Sequence, residues 1–420
     1  MQADSRTNIL FPLTDRRLSA IILGEKIPSG YPHTPGKPGF ALFKNMDSTK
    51  ERAESYMITL QKTIAFHETY PLDRIGRKED LLFFDIETTG FSGEYSTLYL
   101  IGCVYYRNNC WNLVQWFADT LDSEKELLVT FFNFLEDFTA VIHFNGDGFD
   151  IPYLLKRCLA HGMPYNFSGV ESLDIYKKIR PYRGLLGLPS MKQKAIEEFL
   201  NVERKDLYSG GQLIEVYKDY LISHDKFLFD LLILHNEDDL KGMPLILPIL
   251  NYPDFLEHSF LLEHQELLSQ EDIFGREFHS LRLTCKNGFA VPVGFSKSNS
   301  LVSMDAEREH LTITIDLYEG ELKYFYPDYK NYYYLIYEDK AIHKSVAEYV
   351  DKEARIKATA KTCYTRRAGC YLPQFSSLWT PSLQMEFKDK ITYVSYEPDF
   401  FEDGEKLRIY VRHLLDTLCR

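Results

Sequence analysis

The stretch FFDIETTG, residues 83–90, ends a short apolar run and carries two acidic side chains two positions apart. Apart from Asp85, residues 81–86 are apolar, which is typical of a buried strand. Because side chains alternate along a strand, Asp85 and Glu87 share one face where the strand meets a loop. Two neighbouring carboxylates repel each other unless a proton or a cation neutralises them, and Mg²⁺ is the simplest cation for that task. The alternative interpretation is a solvated strand end.

A second acidic position follows another apolar segment. In HFNGDGFDIPYL, residues 143–154, a strand predicted over residues 140–144 runs into a turn, and Asp150 opens the next helix. Asp is also a good helix N-cap, so Asp150 taken alone favours a structural role. Asp147 lies nearby and is interpreted as a solvated loop residue. Asp150 is therefore a candidate ligand only in combination with the first motif.

A third acidic position is accompanied by a histidine. In LLILHNEDDLKGM, residues 231–243, His235 and Asp239 are four positions apart, so they share one face of a predicted helix. Asp238 is the alternative partner of His235, and Glu237 is expected to face solvent. A lone histidine on a helix is more often structural, but its pairing with an Asp after two acidic motifs favours a shared functional site.

Taken in order, DIETTG, NGDGFDIPYL and HNEDDL resemble the three exonuclease motifs of the DEDD superfamily, whose members have the ribonuclease H-like fold. The second motif is similar to that of the proofreading domain of family B DNA polymerases, and the whole set is similar to the YprB-type ribonuclease H-like domain of bacteria. The segments ESLDIYKKIR, SMKQKAIEEFL and RKDLYSGGQLIEVYKDYL support the likeness, which spans roughly residues 80–250. The resemblance implies an α/β fold in which helices flank a mixed central sheet.

The resemblance also implies a reaction. This reaction is metal-dependent 3′–5′ exonucleolytic hydrolysis of phosphodiester bonds in single-stranded DNA or RNA, with two Mg²⁺ or Mn²⁺ ions as cofactors. His235 would orient or deprotonate the attacking water. The residues that match the metal-binding positions are Asp85, Glu87, Asp150 and Asp239. The residues expected to contact the substrate are Thr88, Thr89, Asn145 and Phe149.

One position departs from the superfamily pattern. Members of the superfamily have a histidine five residues before the last Asp or a tyrosine four residues before it, whereas this chain has His235 at the tyrosine spacing. The identity of the general base therefore stays open. Two other functions are compatible with the sequence. One is an endonuclease or structure-specific nuclease that uses the same site, and the other is a catalytically inactive nucleic-acid-binding or scaffold protein.

Composition and motif order predict three parts. Residues 1–80 are expected to be an N-terminal extension or linker with a Pro/Gly-rich connector at residues 28–40 and one helix. The helix is predicted from the spacing of four apolar residues, namely Met57, Leu60, Ile64 and Ala65. Residues 81–250 alternate strands and helices, with a hairpin turn at residues 107–110, and are expected to form the ribonuclease H-like domain. Residues 251–420 are expected to be a C-terminal α+β domain of unassigned type, with strands at residues 281–285, 289–295 and 311–317.

Composition excludes several classes of protein. The 420 residues are 45% hydrophobic and 26% charged, which are ordinary values for a globular chain of about two or three domains. There is no apolar run of about 18 residues and no secretory leader pattern, so no membrane partner is expected. The seven cysteines are scattered and form no CxxC pair. A disulfide framework or a zinc site is therefore not expected. The cysteines instead predict a reducing, cytoplasmic location.

The net charge of −13 argues against nucleic-acid binding through the overall field of the protein. Phosphate binding then needs local basic patches, and two stretches qualify. Residues 177–205 carry eight basic and three acidic residues, and residues 352–367 carry six basic residues and one acidic residue. The second stretch follows residues 324–337, whose seven tyrosines either stack on bases or fill a core.

Overall fold

The computed structural model describes residues 57–65, 67–206, 208–271, 274–275 and 277–419. Contacts divide the chain into two compact units, Met1–Ala53 and Glu54–Arg420, and every described residue lies in the second unit. The connector predicted at residues 28–40 lies outside the described residues. In the part of the chain that is described, no helix combines the length and the apolar character needed to cross a bilayer.

Six strands form a mixed sheet. In chain order they are β1 (Met57–Ile64), β2 (Leu81–Thr88), β3 (Leu98–Arg107), β4 (Cys110–Ala118), β5 (Ala140–His143) and β6 (Glu171–Asp174). Across the sheet the order is β1-β4-β3-β2-β5-β6, antiparallel from β1 to β2 and parallel from β2 to β6. The side chains of β2 and β3 are mostly buried, which fits their nearly continuous apolar sequence. The first acidic motif is therefore carried by a central strand.

The segment before β2 is a strand and not the predicted helix. Residues Met57–Ile64 pair antiparallel with β4 along their whole length. In this edge strand only Ile64 is buried, so the two-residue alternation that marks a half-buried strand is weak. The β-branched residues Ile58, Thr59 and Thr63 favour a strand, and strand pairing prevailed over the helical spacing of the apolar residues. The main sheet thus begins before residue 81.

Helices cover both faces of this sheet. In chain order the helices are α1 (Glu124–Leu135), α2 (Asp150–Ala160), α3 (Ile175–Ile179), α4 (Arg183–Leu186), α5 (Gln193–Phe199), α6 (Gly210–Ser223), α7 (Lys226–Ile246), α8 (Asn251–Glu257), α9 (Lys344–Ala347) and α10 (Gly404–Cys419). Leu82 and Phe84 of β2 belong to one core cluster with α1, α2 and α6, whereas Leu81 and Phe83 belong to another with α3 and α5. Helix α7 contributes to both clusters, so it lies across the boundary between them.

The C-terminal half is rich in strands. They are β7 (Leu261–Glu271), β8 (Glu277–Ser298), β9 (Val302–Asp316), β10 (Tyr318–Phe325), β11 (Tyr332–Leu335), β12 (Lys340–His343), β13 (Arg355–Lys357), β14 (Tyr364–Gln374) and β15 (Thr392–Ser395). They form three antiparallel sheets, β7-β8-β9, β10-β14-β15 and β12-β11-β13. The strands predicted at residues 281–285 and 289–295 are one strand, β8, whose register shifts between Lys286 and Val291. The turn signal Asn287-Gly288 therefore marks an irregularity within a strand rather than a break.

The core does not stop at residue 250. One cluster of buried side chains joins β2 and α7 to the C-terminal half, and it includes Phe83, Met243, Leu283, Leu372 and Tyr410. A shared core of this kind makes the two halves parts of one compact body.

Most of the Tyr-rich segment fills a small core. Tyr326 stacks on Tyr332 with ring centroids 4.7 Å apart. The Tyr334 hydroxyl donates to Asp339 at 2.6 Å. Tyr337, in contrast, is 81% exposed. The structure therefore favours the core-filling interpretation of these tyrosines over a row of exposed stacking rings.

Candidate active site

The two acidic side chains of the first motif lie near the C-terminal end of β2. Asp85 is half-buried and Glu87 is 8% exposed. Burial is the largest cause that raises the pKa of Asp85 well above its usual value, and repulsion from Asp239, Glu87 and Asp150 adds to it. Burial also raises the pKa of Glu87 to about 7, against the opposing charge of His235. Both groups therefore resist ionisation in the metal-free protein.

A buried amide of α7 holds Asp85. The Asn236 amide nitrogen donates to Asp85 Oδ2 at 2.8 Å, and Asn236 Oδ1 accepts from Gln115 Nε2 at 2.9 Å. Asn236 reaches this position because β3 has Gly102 opposite Asp85, where a Cβ would lie 2.1 Å from Asn236 Oδ1 and 2.4 Å from a Leu240 methyl carbon. Asn236 lies within the third motif but was not recognised as a site residue, because its role depends on this close approach of helix and sheet.

A methyl group at Gly102 should separate α7 from the sheet. We expect Gly102→Ala to lower the unfolding free energy by about 1–3 kcal/mol through overpacking and to weaken divalent-cation binding, because Asn236 would lose its contact with Asp85. Chemical denaturation and calorimetric titration with Mn²⁺ measure the two effects. Gly211→Ala is the matched control, since a Cβ there meets no atom within 4 Å. Equal stability and equal Mn²⁺ affinity of Gly102→Ala and wild type would refute this account.

Asp150 is the first residue of α2 and faces the same site. Its Oδ1 accepts from the backbone N–H of Ile86 at 3.3 Å. Burial raises the pKa of Asp150 to about 7, although backbone hydrogen bonds oppose the rise. The N-cap position belongs to Phe149, so Asp150 does not serve as a helix cap. The contact with Ile86 ties the second motif directly to the strand that carries the first.

The loop before Asp150 is fixed by Asp174 at the end of β6. Asp174 accepts from the backbone N–H groups of Asn145 at 3.0 Å and Asp147 at 3.2 Å, and it also caps α3. Asn145 has a φ of 65°, in the left-handed region that Asn tolerates well. Asp174, to which sequence reasoning assigned no chemistry, is thus the acid that shapes the loop.

His143, Asp147 and Asp174 form a second cluster of possible metal ligands, and it lies at the same loop. Its ligand atoms lie within 4.8 Å of one another. However, His143 Nδ1 accepts from the Gly146 N–H at 3.0 Å, and Asp147 accepts from Ser172 Oγ at 2.6 Å and from Lys177 Nζ at 2.9 Å. The interpretation of Asp147 as a solvated residue is wrong, because these bonds hold it half-buried. The cluster therefore has its own hydrogen-bond partners.

Helix α7 brings the third motif to the site. His235 Nε2 lies 3.6 Å from Glu87 Oε1 and 3.4 Å from Asp239 Oδ2, while His235 Nδ1 lies 2.7 Å from Asp206 Oδ2. Burial alone would raise the pKa of Asp206, but hydrogen bonds from His235 and from the Tyr208 N–H lower it below its usual value. An ionised Asp206 accepts the Nδ1 proton, so Nε2 is the atom that faces the carboxylates. Asp206 was not predicted, because no local spacing links it to His235.

The two other acids of the third motif point elsewhere. Asp238 accepts from the backbone N–H groups of Lys205 at 2.8 Å and Asp206 at 2.7 Å, so it anchors the segment that carries Asp206. Glu237 forms ion pairs with Lys62 of β1 and Lys241 of α7 and is half-buried. The expectation that Glu237 faces solvent is therefore wrong, since β1 covers this side of α7.

Arg204 is a third residue, after Asn236 and Asp206, that the sequence does not assign to the site. Its guanidinium lies 2.6 Å from Asp239 Oδ1, 3.2 Å from Glu197 Oε2 and 3.2 Å from Asp206 Oδ2. The sequence places Arg204 in a basic stretch suited to phosphate, whereas the structure places it among three carboxylates. Arg204 is the only Lys or Arg among the described residues that pairs with any of the four predicted metal-binding acids.

The donor set fits hard divalent cations. Glu87, His235 and Asp239 offer ligand atoms that all lie within 4.8 Å of one another. Asp85 lies two residues before Glu87 on the same face of β2, and Asp150 accepts a hydrogen bond from Ile86 between them. Carboxylate oxygens are the ligands that Mg²⁺ and Mn²⁺ prefer. The uncompensated repulsion among these acids is the repulsion that a bound divalent cation would relieve.

The four residues predicted to contact the substrate lie close to these acids in the sequence. The Thr88 hydroxyl donates to the Gly90 carbonyl at 2.8 Å, and Thr89 Oγ1 accepts from the Thr97 N–H at 2.8 Å, so both hydroxyls shape the loop after β2. Asn145 is exposed, and the half-buried Phe149 contacts the exposed ring of Phe91 at a centroid distance of 6.2 Å. Their roles toward a substrate stay predictions.

Each of the two basic stretches has three cations that are engaged by other side chains. In residues 177–205, Lys177 pairs with Asp147 and Lys194 with Asp206 in addition to the contacts of Arg204. In residues 352–367, Arg366 pairs with Glu321 and Asp339, and Arg355 and Arg367 lie over the rings of Tyr333 and Tyr324. Each cation engaged in this way contributes less to the attraction of a phosphate.

Residues 82–251 match the RNase_H_2 family of the RNase H superfamily. This segment contains the central strands and the complete set of candidate ligands. It is a ribonuclease H-like domain, and the predicted α/β fold with helices around a mixed sheet is confirmed. The C-terminal half adds a β-rich region to it.

Similar proteins include DNA polymerases. DNA polymerase 1 of Aeropyrum pernix is 36% identical over 63 residues, which are 15% of this chain and 7% of the polymerase. DNA polymerase 1 of Sulfurisphaera ohwakuensis is 46% identical over 125 residues, covering 22% of this chain and 14% of the polymerase. The chain thus spans only a small part of the length of either protein.

Solved structures overlap with the chain at low TM-scores. The family B DNA polymerase of Pyrobaculum calidifontis has a TM-score of 0.33 at 15% identity and covers 60% of this chain and 35% of its own. The zinc-bound complex of E. coli ExoI with ssDNA has a TM-score of 0.25 at 14% identity and covers 49% of this chain and 54% of its own.

Proposed function

We propose that the ribonuclease H-like domain is a metal-dependent 3′–5′ exonuclease that hydrolyses single-stranded DNA or RNA. One observation carries the proposal: Asp85, Glu87, Asp150 and Asp239 converge with His235 in a mostly buried site, and among the described residues Arg204 is the only Lys or Arg that pairs with these acids. Such a site is unfavourable without a bound cation, so it favours metal-assisted chemistry. The sequence resemblance to the DEDD exonucleases supports phosphodiesters as substrates and the 3′–5′ direction.

The chain supplies ligands and orientation. Asp85, Glu87 and Asp239 would hold one cation, and Asp85 with Asp150 would hold a second. Bound divalent cations would lower the pKa of an attacking water and stabilise the charge of the leaving 3′ oxygen. The protein itself fixes Asp85 through Asn236 and excludes water from Glu87 by burial.

His235 is the group placed to act on the attacking water. Its Nδ1 proton is committed to Asp206, so Nε2 is free to accept a hydrogen bond from the water once the neighbouring carboxylates bind cations. Asp206 would thus fix the tautomer and ring orientation of His235. The cysteines are scattered along the chain and form no CxxC pair, which supports the further proposal of a cytoplasmic location.

Cleavage of end-labelled oligonucleotides tests the proposed function. With Mn²⁺ or Mg²⁺, 5′-labelled single-stranded DNA or RNA is expected to give a ladder of shortened labelled products. Duplexes of the same sequence should react more slowly. Discrete internal cuts would replace the exonuclease by an endonuclease that uses the same site. Absence of cleavage with either metal, in a protein that still binds Mn²⁺, would identify an inactive nucleic-acid-binding or scaffold protein.

A further inference from the structure

A groove of about 740 Å³ lies beside the loop that precedes Asp150. The cations Arg180, Arg183 and Lys192 line it together with the polar Asn145 and the rings of Phe144 and Tyr176. These cations come from three successive segments around α3, α4 and α5. They are also the members of the basic stretch 177–205 that line a common surface.

The groove is positive in a protein that is strongly acidic. Arg180, Arg183 and Lys192 are exposed, and within the described residues none of them pairs with an acid. No acidic side chain lines the groove in that part of the chain either. The net charge of the chain is −13. The three cations therefore give the groove a charge opposite in sign to that of the whole protein.

The lining of the groove connects to the candidate active site at two points. Gln193 donates its Nε2 to the backbone carbonyl of Asp239 at 2.8 Å. Asn145 belongs to the loop that Asp174 fixes, and the Asn145 carbonyl accepts from the N–H of Phe149, directly before Asp150. The groove therefore adjoins the candidate active site.

The aromatic lining favours a single strand over a duplex. Phe144 and Tyr176 are half-buried and contact each other with ring centroids 6.0 Å apart. Aromatic rings stack on the faces of bases that are not already stacked in a helix, and Arg and Lys bind the phosphates of the same strand. A duplex offers phosphates but hides the faces of its bases.

We propose that this groove binds the single-stranded polynucleotide at the nucleotides beyond the scissile bond, with Arg180, Arg183 and Lys192 on the phosphates and Tyr176 on a base. The identity of the bound molecule rests on the proposed function, whereas the positive charge of the groove does not. The groove would supply most of the affinity for long substrates and little of the chemistry.

Salt-dependent binding tests the groove. The variant Arg180→Gln/Arg183→Gln/Lys192→Gln and the wild type are compared by fluorescence anisotropy with a labelled single strand of about 12 nucleotides, a length within the range of such sites. Ethylenediaminetetraacetate prevents cleavage. We expect the Kd to rise at least about tenfold and the slope of log K against log salt to fall by about 2, since each phosphate contact on a single strand contributes about 0.7. In the cleavage assay the KM for the same strand should rise more than kcat falls.

Three exposed lysines outside both basic stretches provide a matched control. Lys125→Gln/Lys340→Gln/Lys390→Gln also removes three exposed positive charges, and we expect its Kd to stay within about twofold of wild type. Equal losses in the two triple variants would show a general charge effect and overturn the groove. Binding of a duplex as tight as that of the single strand, with the same loss in the groove variant, would overturn the single-strand assignment.

Failure of the groove and failure of the proposed function give different results. If wild type cleaves the strand but the groove variant binds and cleaves it normally, the groove is overturned and the nuclease stands. If wild type cleaves nothing but the groove variant loses binding and salt slope, the groove stands on a protein that is not a nuclease. Replacing Tyr176 by Leu in the same assay should raise the Kd for the single strand without changing the salt slope.

Discussion

Replacing Asp85 by Asn is expected to reduce metal-dependent cleavage by about 10³-fold or more, because a cation that acts as a Lewis acid contributes several kcal/mol to the transition state. The metal-free variant should nevertheless be more stable than wild type. Folding raises the pKa of Asp85, so at neutral pH the folded protein either takes up a proton or holds a repelled charge, and both lower the unfolding free energy. A gain of about 1 kcal/mol would raise the Tm of a unit of this size by about 1–2 °C.

Two measurements check this expectation independently of activity. Thermal melting should show a higher Tm for Asp85→Asn without metal and a smaller rise on addition of Mg²⁺ than wild type shows. Asp230→Asn is the control, because Asp230 is exposed on α7 and pairs with Lys226 at 2.8 Å. Wild-type cleavage by Asp85→Asn, or an undiminished effect of Mg²⁺ on its Tm, would remove Asp85 from the metal site.

Replacing Arg204 by Gln is expected to lower the unfolding free energy of the metal-free protein by about 3–5 kcal/mol, as for other broken buried ion pairs. Arg204 is the shared partner of Glu197, Asp206 and Asp239, and the side chains of Glu197 and Asp206 are only 3% and 2% exposed. Without the guanidinium Glu197 loses its ion-pair partner among the described residues, while Asp206 keeps Lys194 and His235. Denaturant unfolding measures the loss, and saturating Mg²⁺ should recover part of it by neutralising Asp239.

A double variant separates the charge effect from a general loss of contacts. Arg204→Gln/Glu197→Gln removes one buried acid together with the cation, so it should be more stable than Arg204→Gln alone. A loss of less than about 1 kcal/mol in Arg204→Gln, or no recovery in the double variant, would show that Arg204 does not balance the acids of the site.

The sequence was sufficient for the central part of the fold. Strands β2 and β5 agree with their predicted positions within a few residues, because their apolar runs are buried, and the predicted hairpin turn at residues 107–110 joins β3 to β4. The assignment of β2 as a strand also predicted that Asp85 and Glu87 lie on one face. The helical spacing of His235 and Asp239 brought that pair together as expected. These are features that local periodicity determines.

What the sequence did not provide depends on tertiary contacts. Strand β1 was predicted as a helix, because an edge strand with one buried residue shows little alternation. Asp206, Arg204 and Asn236 reach the site only through the approach of α7 to β3 and of the segment before α6 to α7. No spacing along the chain indicates such contacts.

Helix α7 also makes the candidate active site dependent on the C-terminal half. The helix carries His235 and Asp239 in its middle, and one turn later it buries Met243 and Ile246 in the core shared with the C-terminal strands. Transplanting the ribonuclease H-like segment alone into another protein would leave that end of α7 without its apolar partners. The β-rich half thus supplies core contacts that α7 needs, and it is not a domain that could be removed or exchanged without affecting that helix.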